Sequence, residues 1–363
     1  MSEARINGKP VSLAEAAERA AEILSQARLP VIAGLGTDVA GARAAILLAE
    51  KLHGAYDHMH SVEIFADLDV MRQAGLMFTT PNEARLRADV LLFIGKDLTK
   101  IWPDVLARLS PAEIPAYELA REPRKLLWIA PGRGAAKVEG LAVQTLDSSD
   151  LHTALGGLRA RVAGKAVHGN KSTLRKLDEF ADILKAARFG VAVWGGDGLD
   201  GLSIEMLHGL ILDLNKTTRF SGLPLGAGAN AAGVVQTSGW MTGFPVRTSF
   251  GRGYPEHDTW RFDATRLIES GEADAALWIS AYGGEVPPWK KTIPLIALAA
   301  PQTAFARAPL VSIDVGYPGR DHDGVEFARE TGSLVGRLAS QPSQTPSVAA
   351  VVGEIEKYLG GDA

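Results

Sequence analysis

The feature that most limits this chain is a short, wholly apolar segment that breaks into glycine and runs directly into a helix. Val31-Ile32-Ala33 follows Pro30 and ends in Gly34-Leu35-Gly36-Thr37-Asp38, and apolar residues then recur at helical spacing from Val39 to Leu52 before Gly54. A strand with no polar alternation has to be covered on both faces, which is the setting of a parallel sheet between helix layers. A helix over Leu13 to Gln26 precedes it, opened by Ser12 and Glu15 at capping-box spacing. The same order returns later, with a helix from Thr173 to about Ala187, the strand Val191 to Trp194 and the turn Gly195-Gly196-Asp197-Gly198. A helix over about Ser203 to Asn215 follows. The two stretches read as possible halves of one sheet.

Further buried strands are expected at Val90 to Ile94, Leu126 to Ala130, Val143 to Leu146, Ala275 to Ser280, Ile293 to Leu298 and Pro309 to Val315. Helical matter between them fits parallel strands joined by crossovers. Ala160 to Ser172 is polar enough to be a linker, and Ser340 to Ser347 reads as a flexible connection. Ser221 to Gly253 is too glycine-rich for regular structure and too apolar for a solvated linker, so a long ordered loop is expected there. The fold class expected is α/β, with two Rossmann-like domains and largely parallel sheets.

Composition excludes more than it selects. The chain has 363 residues, 46% hydrophobic and 22% charged, enough to bury a core for about two domains. It contains no cysteine. Disulfides, thiolate metal sites, cysteine-held iron–sulfur clusters and cysteine nucleophiles are therefore impossible within it. A net charge of −4 with both signs interspersed provides no basic field for nucleic acid. The apolar runs are strand-sized, so neither a leader nor a membrane span is expected, and the compartment expected is the cytoplasm.

Several motifs offer chemistry. The turns at Gly34 to Asp38 and Gly195 to Gly198, with the glycine-rich stretch 226–233, are candidate anion cradles at strand ends. Neither turn completes a phosphate-binding fingerprint, and an ordinary strand-to-helix turn explains each alone. His58-Met59-His60 has a spacing that puts two imidazoles on one face of a strand, near Asp57, Glu63, Asp67 and Asp69, but no further histidine pair accompanies it. A surface or interface role is the expectation. Asp321-His322-Asp323 with Glu326 reads as a solvated loop. Ser61, Ser238 and Ser280 lie outside any nucleophile-elbow pattern. Trp102, Trp194, Trp278 and Trp289 read as core or subunit contact, whereas Trp240 in the glycine-rich stretch reads as a contact for a partner.

Taken in order, Val31 to His53 with Ala55-Tyr56-Asp57, then Asn82 to Gly95, Gly226 to Gly233, Gly271 to Ile279 and Ile313 to Arg329 resemble the molybdopterin-dependent oxidoreductases. Within them the chain is similar to the B subunit of formylmethanofuran dehydrogenase, with Trp102-Pro103 where that family has a His-Pro pair. The resemblance implies the family fold without its iron–sulfur domain, with residues 1–60 and 165–363 forming one discontinuous domain and 61–164 an inserted one. Family dehydrogenases hold a cluster and a metal through cysteine or selenocysteine; here Ser61, Val62 and Glu63 stand in the metal-ligand neighbourhood, and because relatives also ligate through carboxylate or serine, Glu63 or Asp67 is not excluded by residue type.

A form of this subunit without cofactor belongs to the formyltransferase/hydrolase complexes of methylotrophic bacteria. The resemblance then implies a non-catalytic structural subunit with no cofactor, no catalytic residue and no metal ligand of its own. It implies a relic cleft at Gly34, Gly36, Thr37, Gly195, Gly226, Gly228 and Asn230. The implied partners are an amidohydrolase-like subunit, a formyltransferase subunit and a further structural subunit, which together pass formyl from tetrahydromethanopterin through a furan carrier to formate. The alternatives are an active formylmethanofuran-dehydrogenase-like oxidoreductase with a non-thiolate pterin site, and an independent metal hydrolase built on His58 and His60.

Overall fold

The computed structural model describes residues 4–96, 98–110, 124–132, 140–195 and 199–360. The chain divides into two compact units, 1–61 with 228–328 and 334–363, and 62–227 with 329–333.

In the first unit the described strands are β1 (Ala4–Ile6), β2 (Lys9–Val11), β3 (Pro30–Gly36), β4 (Ala55–Tyr56), β10 (Thr248–Ser249), β11 (Glu256–His257), β12 (Ala275–Ser280), β13 (Leu295–Ala299) and β14 (Val311–Asp314). They form one sheet in the order β11-β10-β4-β3-β12-β13-β14-β1-β2. β4, β3, β12, β13 and β14 run parallel, while the β1–β2 hairpin and the β10–β11 pair close the two edges antiparallel. Every residue of β3 and β12 is buried, as their unbroken apolar sequences require.

Helices α1 (Leu13–Gln26), α2 (Val39–Lys51), α10 (Ala231–Thr242), α11 (Ala264–Ser270) and α12 (Val348–Glu356) pack with this sheet. The start of α1 is fixed by the expected capping box: Glu15 N–H donates to Ser12 Oγ at 3.2 Å, and Ser12 N–H donates to Glu15 Oε2 at 2.8 Å. Its buried face is Ala16, Ala17, Ala20, Ala21, Ile23 and Leu24. α11 closes the opposite side of β3 and β12 through Leu267 and Ile268 against Val31, Ala33, Ala276 and Trp278.

The second unit is built on strands β5 (Val90–Ile94), β6 (Lys125–Ile129), β7 (Val143–Leu146), β8 (Phe189–Trp194) and β9 (Arg219–Pro224), all parallel in the order β7-β6-β5-β8-β9. The continuous run Val90–Ile94 splits by alternation. Val90, Leu92 and Ile94 enter a core with α7 (Leu151–Val162), α8 (Lys171–Ala186) and α9 (Gly201–Leu214), whereas Leu91 and Phe93 meet α4 (Pro81–Arg87), α5 (Leu98–Ile101) and α6 (Val105–Leu109). α3 (Ser61–Ala74) opens the unit. The chain comes back to it for 329–333 between β15 (Gly324–Ala328) and β16 (Ser333–Arg337), which form a two-stranded sheet.

Three expectations need correction. The inserted unit continues to 227 instead of ending at 164, because β8 and β9 pair with β5 and the polar stretch before α8 only joins two helices. For the same reason the repeated helix–strand–turn units are not halves of one sheet: β3 and β8 lie in different sheets. The long loop expected over 221–253 holds the end of β9, the whole of α10 and β10. Gly233 permits that helix, since a Cβ there would stand 2.3 Å from the Asn230 side chain. Gly196, Asp197 and Gly198 of the second candidate turn lie outside the described residues.

Candidate functional site: the carboxyl ends of the larger sheet

In a parallel sheet the ligand crevice lies beyond the carboxyl ends of the strands. In the first unit this is where β3 ends, and its last residues are bent for the purpose: Gly34 has φ +84 and Leu35 φ +51, and the pairing with β12 shifts register between Trp278 and Ser280. A Cβ on Gly34 would meet the Ile279 carbonyl oxygen at 2.5 Å, so only glycine fits. The turn then enters α2 at Asp38. A helix start here could cradle an anion, but the chain supplies its own: buried Asp38 accepts from Gly41 N–H at 3.0 Å and from Thr37 Oγ at 3.2 Å.

More carboxylates follow the neighbouring strands. Glu285, after β12, accepts from Ser280 Oγ at 3.0 Å, and Glu326 on β15 accepts from Tyr282 Oη at 3.2 Å and Arg337 Nε at 2.8 Å. Burial, together with the charges of Glu326 and Asp38, drives the Tyr282 phenol strongly upward, so it remains a neutral donor. Tyr282 and Tyr317 pack edge to face with centroids 5.0 Å apart.

Asn230 ties this turn to two other segments. Its Nδ2 donates to the Thr37 carbonyl at 2.9 Å and its Oδ1 accepts from Phe327 N–H at 2.8 Å, while its backbone sits in the left-handed region at φ 57, ψ 29. Asn230 joins the β3–α2 turn, the start of α10 and β15. Gly36 and Gly228 line the same region: a Cβ on Gly36 would approach Met59 Cε at 2.8 Å, and one on Gly228 would approach His60 Nε2 at 3.3 Å.

The loop after β4 carries Asp57, His58 and His60, so the two histidines do not share a strand face. His58 is buried within the chain, contrary to the surface or interface role expected. Its Nδ1 accepts from His60 N–H at 3.0 Å, which leaves Nε2 as the protonated nitrogen facing the Ala229 carbonyl at 3.2 Å. With Nδ1 accepting and Nε2 protonated, this tautomer has no lone pair free for a metal. Burial first, and then His60, press the His58 pKa down to about 3, so the ring is neutral. Asp57 accepts from His58 N–H, Ala264 N–H and Ser61 Oγ, and stands 3.4 Å from Arg247 Nε. Burial pushes its carboxyl up to about 7 against the pull of Arg247. Arg247 also reaches Asp263 at 2.5 Å, donates to Ser61 Oγ at 3.0 Å and bonds the Thr259 carbonyl.

The remaining candidates divide between the units. Gly34, Gly36, Thr37, Gly228 and Asn230 come together in the first, whereas Gly195 and Gly226 belong to the second, where a Cβ on Gly195 would lie 3.7 Å from the Gly226 carbonyl. Asp67, also in the second unit, accepts from Trp194 Nε1 at 2.8 Å, and burial raises its carboxyl to about 6. The hydroxyls of Ser238 and Ser280 donate to Phe244 O and Glu285 respectively. Asp321 and Asp323 are not simply solvated, since they accept from Tyr317 N–H and Ala339 N–H at 2.7 Å each and shape that loop. Trp102, Trp194 and Trp278 are core and Trp240 is 64% exposed. No group of three or more His, Asp or Glu among the described residues is arranged to hold a metal ion. Sequence reasoning missed the Asp57–Arg247–Asp263 cluster. Its signal was an arginine within an otherwise apolar, glycine-rich stretch.

Sequence comparison relates this two-unit α/β chain to the B subunits of formylmethanofuran dehydrogenase and of formyltransferase/hydrolase complexes. The chain is 26% identical to the B subunit of the tungsten-containing formylmethanofuran dehydrogenase 2 of Methanocaldococcus jannaschii, over 88% of this chain and 77% of that one. It is likewise 26% identical to the protein of that name from Methanococcus maripaludis, over 84% of this chain and 70% of that one. The B subunit of the formyltransferase/hydrolase complex of Methylorubrum extorquens is 36% identical over 94% of this chain and 92% of its own. The crystal structure of the formyltransferase/hydrolase complex from that organism, solved with methylofuran, contains a chain that superposes with TM-score 0.87 at 34% identity, covering 98% of both. No family model matches the sequence. The chain belongs to the family of B subunits of formyltransferase/hydrolase complexes. Among its described residues no helix is long and apolar enough to cross a membrane.

Proposed function

We propose that this chain is the B subunit of a formyltransferase/hydrolase assembly, that it holds partner subunits together, and that it carries out no chemical step itself. Its partners are an amidohydrolase-like subunit, a formyltransferase subunit and a further structural subunit. The reaction they share takes formyl from tetrahydromethanopterin through a furan carrier to formate, in the cytoplasm. What carries this reading is likeness to one such subunit along nearly the whole of both chains, in sequence and in backbone.

The absence of a cofactor is proposed on the residues at the strand ends. The dehydrogenase relatives are named for tungsten, and a metal-bearing pterin brings at least one phosphate with it. A phosphate needs N–H donors and cations. Here the α2 start is already capped by Asp38, Glu285 adds negative charge after β12, and Glu326 engages the Arg337 cation. No thiolate is available for the metal, since the chain contains no cysteine. These residues do not fit such a group. Both nitrogens of His58 are hydrogen-bonded internally, which also weighs against the metal-hydrolase alternative.

The test is co-expression of the chain with its three partner subunits, beside the same set without it. The full set is expected to hydrolyse the formyl carrier as one particle, and the incomplete set to separate on size exclusion. Hydrolase and formyltransferase that still migrate together without this chain would overturn its structural role.

A further inference from the structure

The second unit contains a cavity of about 350 Å³ lined by Pro81, Asn82, Arg85, Trp102, Arg108 and Glu330, among others. Its polar side chains are not equally engaged. Arg108 is held by Asp104 at 2.7 Å and also feels the charge of Glu330. Arg124 lies beneath, its guanidinium hydrogen-bonded to the Ala88, Leu109 and Arg85 carbonyls. Arg85 is half-buried on α4, and among the described residues its guanidinium has no hydrogen-bond or ion-pair partner. An arginine fork that lines a cavity and has no internal partner is available to an anion.

We propose that this cavity is a binding site for a small organic carboxylate with a flat apolar body. The planar fork of Arg85 matches the two oxygens of a carboxylate. Arg108 cannot serve as well, because Asp104 already occupies it. Trp102, Leu109 and Pro81 supply the apolar wall and the Asn82 amide adds a polar edge. The volume lies at the small end of ligand pockets, which suits an aryl carboxylate and excludes a dinucleotide. Charge selects against a second acid on the ligand: Glu330 faces the same space. The site lies wholly in the second unit and owes nothing to the crevice at the end of β3.

The probe is benzoate, titrated into the full-length chain by calorimetry or by ligand-observed NMR, with benzamide as its uncharged counterpart. Benzoate is expected to saturate one site with Kd on the order of 1 mM, and benzamide to bind at least about tenfold more weakly. Arg85→Met is expected to cost benzoate about tenfold or more, and Arg85→Lys, which keeps charge without the fork, to fall between. The benzamide arm uses the unaltered protein, so it stands even where a variant fails to fold. Equal affinity for the two probes, an Arg85→Met protein with undiminished benzoate affinity, or no saturation by about 20 mM overturns the assignment. Exclusion of benzoate once the chain is in its assembly gives the pocket to an acidic side chain of a partner, and overturns it equally.

Discussion

Asn230 is the residue on which the structural reading of the old crevice can be weighed most cleanly. Its side chain donates to the Thr37 carbonyl and accepts from Phe327 N–H, and its backbone is left-handed. Asn230→Gly keeps the backbone geometry and removes both bonds. With about 1 kcal/mol net for each bond, plus part of the cost of leaving buried partners unpaired, the loss should be about 2–3 kcal/mol. Asn230→Ala removes the same bonds and adds left-handed strain of about 1–2 kcal/mol, offset by the roughly 0.5–1 kcal/mol that glycine loses through its freer unfolded chain. Alanine should therefore fall roughly 0.5–1 kcal/mol below glycine. Equilibrium unfolding in urea, with circular dichroism and tryptophan fluorescence compared for coincidence, reads both numbers. Two variants within about 0.5 kcal/mol of the parent protein, or alanine more stable than glycine, would refute Asn230 as a three-way tie.

Arg247→Met leaves Asp57 and Asp263 without their shared cation at a site where the arginine is 10% exposed, and should cost about 3–5 kcal/mol at pH 8, read as a lower urea midpoint. Because Asp57 in the intact protein is raised to about 7, its share of that penalty should grow as pH rises through 7 and fade in acid. His58 is depressed from 6.5 to about 3; its neutral form is the folded one, so its contribution is complete above pH 6.5 and is lost progressively as pH falls from there towards 3. A nitrogen-15 histidine spectrum at pH 5 should still show the neutral tautomer with the proton on Nε2, and an imidazolium signal for His58 would contradict this. Trp194→Phe removes the donor to Asp67 and should raise that carboxyl further above its value of about 6, which a carbon-13 carboxyl titration would show.

How much of this was legible in sequence depended on range. The buried strands begun at 31–33 and set at 90–94 and 275–280 declared themselves because a strand covered on both faces has no polar positions, though the first runs on through Gly36, and the start of α1 was written in Ser12 and Glu15. Sheet membership was not legible. The runs Val31–Ala33 and Val191–Trp194 are equivalent by local criteria, and only pairing with β12 or β5 separates them. α10 was hidden because Gly233 and Gly239 argue against helix, whereas Gly233 is required where a Cβ would meet the Asn230 side chain and Gly239 meets open space. Of the crevice, the glycine turn at 34–36 and Asn230 were visible. The acids Asp38, Glu285 and Glu326 come from three separate stretches, and the Asp57–Arg247 pair spans 190 positions, so no window of sequence could join them.

The most direct measurement is native mass spectrometry of the chain purified from its own cells through a mild affinity tag, with molybdenum and tungsten determined on the same sample. The expected result is one particle containing this chain with the formyltransferase, amidohydrolase-like and further structural subunits, this chain at its bare polypeptide mass and neither metal in stoichiometric amount. A chain that emerges alone, or one that carries a pterin with stoichiometric molybdenum or tungsten, would contradict its role as a structural subunit without cofactor.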